Sequence, residues 1–288
     1  MRLSYYPGCV SRSSGREMDV STRAVCSAIG IDLEELEDWN CCGATHVANE
    51  LIAIGLAARN MSQTDLPIMT SCSICYSNLR FAIQRMEDPE IQSKINAILT
   101  SKYDGARIRH ALDVILEALQ NNSDLIIVPL KDLKVAPYYG CLMTRPRGVD
   151  SPEFPTILEK LTKILKADPI DFRLKTLCCG GPIFMPQEEA AGDLTFMLLS
   201  EAKKAGAEII VTLCPLCHFM LDAKQKTLEM KHGVDIGIPV LYVTQLVGIA
   251  LGLGPVELGL EMNSVSTMNI LETIYERVLA EEKKVEIK

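Results

Sequence analysis

The sequence predicts an α/β fold built from two pseudo-symmetric repeats, with its reactive side chains gathered where strands end and helices begin. Three observations carry that expectation. Ten of the eleven cysteines form two sets with one internal order: Cys9, Cys41-Cys42, Cys72, Cys75, then Cys141, Cys178-Cys179, Cys214, Cys217. Their neighbours repeat with them, YYPGC against PYYGC, CCGA against CCGG, and IMTSCSIC against IVTLCPLC. Each cluster also follows a short β-like run and precedes a stretch of helical spacing. The offset between the sets grows from 132 to 137 to 142 residues, as insertions in loops or helices of a duplicated unit would produce.

The first repeat opens with an apolar strand, Leu3–Tyr6, closed by the Pro7-Gly8 turn. Helical spacing follows over Ser14–Ala28 through Met18, Ala24, Val25 and Ile29, with Gly30 as C-cap. A strand-like stretch leads to Cys41-Cys42-Gly43, and a helix is expected over Thr45–Arg59 with Val47, Leu51, Ile54 and Leu56 on its buried side. The strand Pro67–Thr70 runs into Cys72-x-x-Cys75 and a helix reaching Arg85. Residues Lys102–Leu130 read as a helix and a polar linker, QNNSD, which puts the first domain at 1–130.

The second repeat, 131–262, follows the same scheme. Its expected elements are strand Val135–Tyr139, helix Pro155–Leu165, CCGG, helix Gln187–Lys204, strand Glu208–Leu213 and a helix to about Met230. The 21 residues Ile236–Val256 carry no charge and have to be weighed as a membrane span. Pro239, Gly248, Gly252, Gly254 and Pro255 break the run into a strand, PVLYV, and a helix capped by Thr244. A buried strand and helix, or a surface covered by a partner, is the better reading. An extension, 263–288, is one amphipathic helix from Asn263 ending in EEKKVEIK, packed outside or against a partner.

A formal net charge of -8 excludes a nucleic-acid backbone as main partner, because phosphate binding needs clustered Lys and Arg. The N-terminus lacks the apolar core of a secretory signal, so a cytoplasmic location with reduced thiols is expected. Reduced, ordered thiols point to metal or redox chemistry. Soft thiolates suit zinc or iron–sulfur centres, and a Cys-x-x-Cys at a helix start aims both sulfurs at one point. A zinc site or a cubane 4Fe–4S cluster takes four cysteines, whereas each repeat offers five. The surplus suggests an exchangeable ligand or a cluster not arranged as a cube, with structural zinc as the plainer alternative.

Other residues get plainer readings. Cys26, without a counterpart in the second repeat, is a core thiol. His46 and His218, beside the cysteine motifs, are candidate proton donors rather than ligands. His110 and His232 lie at helix ends and are read as solvated. Trp39 is expected to shield the site, and Arg145 and Arg147 are solvated arginines that could also attract an anionic substrate.

The pattern C-x31-CCG-x28-C-x2-C, which recurs as C-x36-CCG-x33-C-x2-C, resembles the CCG or cysteine-rich domain family, and CCGA, IMTSCSIC, CCGGP and TLCPLCH look most like the B subunit of heterodisulfide reductase. The resemblance reaches to about Val256. It implies Rossmann-like repeats with iron–sulfur sites at the carboxyl edge of the strands. It further implies two noncubane 4Fe–4S clusters, one on Cys9, Cys41, Cys42, Cys72 and Cys75, the other on Cys141, Cys178, Cys179, Cys214 and Cys217. The implied activity is reduction of the coenzyme M–coenzyme B heterodisulfide to two thiols by one-electron steps. The alternative is an iron–sulfur electron-transfer subunit of a 2-hydroxy-acid oxidase or related complex. No ferredoxin-type C-x2-C-x2-C-x3-C-P run and no G-x-G-x-x-G fingerprint occurs. Electrons are therefore expected from a ferredoxin-like subunit of the C type and, through it, a flavin-containing subunit of the A type.

Overall fold

The computed structural model describes the chain except residues 45–46, 146–147, 149 and 287–288. Two four-stranded parallel sheets form its frame. The first has the order β2-β1-β3-β4, with β1 Arg2–Tyr5, β2 Asp32–Glu35, β3 Ile68–Thr70 and β4 Ile108–His110. The second repeats it as β6-β5-β7-β8, with β5 Lys134–Tyr138, β6 Asp168–Pro169, β7 Ile209–Thr212 and β8 Val240–Tyr242. Helices cover both faces of a parallel sheet, so its inner strands are continuous apolar runs. β3 and β7 are buried throughout, whereas the edge strand β2, DLEE, alternates exposed and half-buried residues.

Helices α1 Arg16–Ala28, α2 Glu50–Met61, α3 Ser73–Arg85, α4 Pro89–Asn96 and α5 Ala111–Asn121 complete the first half. The second holds α6 Ile157–Ile164, α7 Glu188–Lys204, α8 Pro215–His218, α9 Gln225–His232 and α10 Val243–Ala250, and α11 Met268–Glu286 follows. Gly30 ends α1 in the left-handed region, as its sequence position suggested. Elsewhere the boundaries differ. α2 begins at Glu50 because the Asn49 side chain caps it by accepting from the Ile52 amide at 3.2 Å. That shifts its buried stripe to Ala53, Ile54, Ala57, Ala58 and Met61 and leaves Leu51 exposed.

The stretch read as helix and linker before residue 130 contains a fourth strand, β4, which is too short to show a period of two. The helix expected to Met230 is broken by a π-turn over Phe219–Ala223. Thr244 does not cap α10; it lies inside the first turn, while the Gln245 side chain accepts from the Tyr242 amide at 3.0 Å.

The halves are joined by exchange of helices. α10 packs on α1 of the first half, and its counterpart α5 packs on α6 of the second. Ser21 and Thr244 share a hydrogen bond of 2.7 Å across the first of these contacts. All eight residues of α10 are buried in this way, so the helix of the uncharged run is covered by the chain itself and no partner is needed to explain it. Among the described residues no helix is long and apolar enough to cross a membrane. α11 lies on the same shared core through Leu271 and Ile274, pinned by an Arg277–Glu208 ion pair of 3.0 Å.

Candidate functional site

Each sheet delivers its cysteines from the same three places. Beyond β1 the chain turns through Tyr6, Pro7 and Gly8 to Cys9, and beyond β5 through Tyr139 and Gly140 to Cys141. Cys72 and Cys214 are the N-cap residues of α3 and α8, so Cys75 and Cys217 sit in the first turn of a helix. The third element is the loop carrying the cysteine pair. Tyr6 donates its hydroxyl proton to the Asn40 carbonyl (2.8 Å), and Tyr138 to the Leu177 carbonyl (2.7 Å). Asn40 and Leu177 immediately precede Cys41 and Cys178. The carbonyl of the second cysteine is held as well, Cys42 by Asn78 and Cys179 by Thr195 at 2.8 Å. Trp39 stacks edge-on against Tyr6, at 5.8 Å between rings, and so shields this anchor one layer from the sulfurs.

Gly8 and Gly140 are fixed by close approach. Both have positive φ, +80° and +64°. A Cβ on Gly8 would lie 2.9 Å from Cys75 Sγ, and one on Gly140 3.1 Å from Cys217 Sγ. No other residue type fits both the backbone and the space.

The thiols of each half form a string in one order. In the first, Cys9 contacts Cys41 at 3.6 Å, Cys42 interacts with Cys41 and Cys75, and Cys75 with Cys72. In the second, Cys141 meets Cys178, then Cys179, Cys217 and Cys214. Cys9 is exposed and Cys41, Cys141 and Cys178 half-buried, while Cys42, Cys72, Cys75, Cys179, Cys214 and Cys217 are buried. The strings therefore run inward from the surface, and their inner ends meet. Ser73, next to Cys72, donates to the carbonyl of Leu213, next to Cys214, through both its amide (3.2 Å) and its hydroxyl (2.7 Å). A narrow pocket beside this seam is lined by Ile74 of the first half and by Cys141, Cys178, Cys214 and Cys217 of the second.

Such strings cannot ionise fully on their own. Cys42 is raised to about 12 by its contact with Cys41 and then by burial, and Cys179 to about 12 by Cys178 and then burial. Cys178 is drawn down to about 2 because Cys141 and Cys179 both donate to it. Proton sharing of this kind leaves at most alternate sulfurs charged. Converting all five to thiolates requires cationic metal among them, so the donor set fits a polynuclear thiolate-bound centre. Among the described residues no group of three or more Cys, His, Asp or Glu side chains is arranged to hold a single metal ion.

The remaining candidates separate. Cys26 is wholly buried and raised to about 12 by burial, a core thiol. His218 is buried with Nε2 3.0 Å from the Val240 carbonyl and Nδ1 3.6 Å from Glu17, away from the pocket's lining. His46 and Arg147 lie outside the described residues. Arg145 is exposed and paired with Glu153 at 2.6 Å. His232 is exposed, stacked on Phe196 at 3.7 Å. His110 is not solvated: it is fully buried and caps α5, its Nδ1 accepting from the Leu112 amide at 3.1 Å.

The histidines at positions 110 and 218 belong to a feature that the sequence hides. His110 ends β4 and Tyr242 ends β8 at matching register, opposite Thr70 and Thr212. His110 meets Tyr76 edge-on at 5.6 Å, and Tyr242 stacks on His218 at 4.3 Å. Tyr76 and His218 each follow the last cysteine of their set, so the same tyrosine–histidine pair occurs in both halves with its members exchanged.

The family model for the CCG cysteine-rich domain matches residues 3–80 and 135–222, one match per sheet. The chain belongs to the CCG cysteine-rich domain family. It is 33% identical over 280 residues to the 8-methylmenaquinol:fumarate reductase membrane anchor subunit of Wolinella succinogenes, covering 93% of this chain and 98% of that one. It is 32% identical to the B subunit of the ferredoxin/F420H2-dependent CoB-CoM heterodisulfide reductase of Methanosarcina acetivorans, over 96% and 97% of the two chains. A hypothetical protein from Helicobacter pylori shares the fold, with a TM-score of 0.75 at 12% identity over 92% of this chain, which spans about half (52%) of that one.

Proposed function

We propose that this chain is the disulfide-reducing iron–sulfur subunit of a larger oxidoreductase. Cys9, Cys41, Cys42, Cys72 and Cys75 would hold one four-iron cluster, and Cys141, Cys178, Cys179, Cys214 and Cys217 a second, both of noncubane type. The observation that carries the reading is the pair of identical five-sulfur strings whose buried ends meet at the Ser73–Leu213 contact. When bound, such clusters supply electrons singly, and a disulfide takes two.

The chain's own residues set the conditions. The α1–α10 and α5–α6 contacts fix the distance between the strings, and Ser73 fixes their inner ends. Ile74, Leu142, Pro182 and Leu216 give the seam pocket apolar walls that limit water beside the sulfurs. The name of the Methanosarcina relative supports the coenzyme M–coenzyme B heterodisulfide as substrate. Relatives named as B subunits of ferredoxin-dependent reductases support partner subunits, which in this reading are a ferredoxin-like C-type subunit and, through it, a flavin-containing A-type subunit, assembled in the cytoplasm.

A second reading rests on the Wolinella relative, named as the anchor subunit of a quinol-linked reductase. There the same two clusters would pass electrons from a quinol without binding a disulfide. Anaerobically purified, iron-loaded protein separates the two. With a reduced viologen dye as donor, the first reading expects consumption of the heterodisulfide and release of two thiols. Loaded protein that oxidises a menaquinol analogue but leaves the heterodisulfide intact would establish the second instead.

A further inference from the structure

Tyr242 ends a strand of the second sheet yet packs among the cysteines of the first. It is 2% exposed and shares a buried cluster with Tyr6, Cys72 and Cys75. Its ring is fixed by the parallel ring of His218, at 4.3 Å and 12°. The hydroxyl comes close to the loop after Cys9: a Cβ built on Gly15 would lie 3.4 Å from it and 3.3 Å from Cβ of Pro215, the residue following Cys214. It therefore lies at the seam where the two strings meet. Among the described residues none meets full hydrogen-bond geometry to it, and the nearest candidate acceptor is the Glu17 carboxyl, whose pKa the hydroxyl lowers.

A buried hydroxyl without a partner is costly, on the order of 1–3 kcal/mol, and such groups normally have an acceptor in the working state. Four ionisable neighbours act on this one: the Glu17 carboxyl on α1, Cys214, Cys72 and Asp222. Burial first, then the charges of these neighbours, keep the hydroxyl protonated and hence a donor. Glu17 is itself pushed up by burial, an effect that the nearby Tyr242 hydroxyl only partly offsets. It also lies 3.6 Å from Nδ1 of the His218 ring, whose Nε2 donates to the Val240 carbonyl. The sulfurs become strong acceptors only when they are thiolates, which is the state that metal imposes.

We infer that the Tyr242 hydroxyl donates a hydrogen bond to a seam cysteine, Cys214 or Cys72, in the cluster-loaded protein and raises the reduction potential of that cluster. Hydrogen bonds to cluster sulfurs stabilise the reduced, more negative state. The inference rests on the reading that the cysteine strings hold iron–sulfur clusters. Tyr242 is a positioning and tuning residue at the contact between the two sites. Its counterpart His110 does not share the role, since its own ring nitrogen caps α5 and no cysteine acts on it.

The test uses full-length protein loaded anaerobically, with iron and sulfide measured first and midpoint potentials then read by a spectroscopically monitored redox titration. Tyr242→Phe keeps the ring and its stack on His218. It should retain wild-type iron content while one cluster becomes harder to reduce by about tenfold in its one-electron equilibrium, about 59 mV. It should also lose an exchangeable proton coupled to that cluster in electron–nuclear double resonance. Tyr5→Phe removes another buried hydroxyl, one that faces Asp19 and none of the ten cysteines, and should leave both potentials unchanged. Unchanged potentials and an unchanged proton signal in iron-loaded Tyr242→Phe would overturn the inference and assign the hydroxyl to Glu17. Absence of iron from the wild-type protein would instead defeat the cluster reading on which it rests.

Discussion

Gly8→Ala isolates the contact that shapes the first cysteine string. The substitution has two costs. Holding alanine at a φ of +80° costs about 1–2 kcal/mol. The new Cβ also lies 2.9 Å from Cys75 Sγ, so the sulfur has to retreat by roughly 0.6–1 Å to reach ordinary van der Waals contact. Metal–ligand distances tolerate only about 0.2 Å, so the displacement is several times what a cluster ligand can absorb. Gly30→Ala supplies the control, because Gly30 has a φ of +73° with nothing within 4 Å of its Cβ position. Both variants should lose a few degrees of Tm, at about 2–4 °C per kcal/mol for a chain of this class. Only Gly8→Ala should lose iron, falling from about eight to about four per chain as one four-iron site empties. Full iron in Gly8→Ala, with a Tm loss equal to that of Gly30→Ala, would refute the close-approach argument.

Three further outcomes are expected. Tyr6→Phe and Tyr138→Phe each strip a partner from a carbonyl beside a cysteine pair, so each should lower stability by about 1–3 kcal/mol in denaturant titration, with faster loss of iron to a chelator. Cys41→Ser or Cys178→Ser should remove the iron of its own half only and abolish disulfide turnover, measured as thiol release; full turnover with one half empty would contradict a two-site mechanism. His110 is lowered to about 3 by burial, so it stays neutral in the fold while the unfolded chain takes up a proton near pH 6.5. Its contribution is present above pH 6.5 and lost as pH falls from there toward 3, at up to about 1.4 kcal/mol per pH unit. His110→Asn keeps a capping side chain and should flatten the stability–pH curve in that window.

The cysteine strings were legible in the sequence because metal-binding thiols leave fixed spacings and glycine-marked turns, as at Gly8-Cys9 and Gly140-Cys141. The sheets were legible where strands are apolar and buried, as at β7 and the three-residue β3, and illegible at β4, whose IRH is mostly polar and only partly buried. Burial of α10 was ambiguous for a different reason. An uncharged helix reads the same whether its own chain or a partner covers it, and only the exchange of α5 and α10 between halves settles which. The tyrosine–histidine pairs left no signal at all. Their members trade places between repeats, Tyr76 with His110 and His218 with Tyr242, so aligning the halves sets unlike residues against each other. Tyr242 went unnoticed in consequence, although it reaches across the seam.

What the ten cysteines hold decides the chemistry, and metal analysis of anaerobically purified wild-type protein answers that directly. Roughly eight irons per chain, with sulfide in proportion and no zinc, is the expected result for two four-iron clusters. Stoichiometric zinc without sulfide would contradict it and make the strings structural sites.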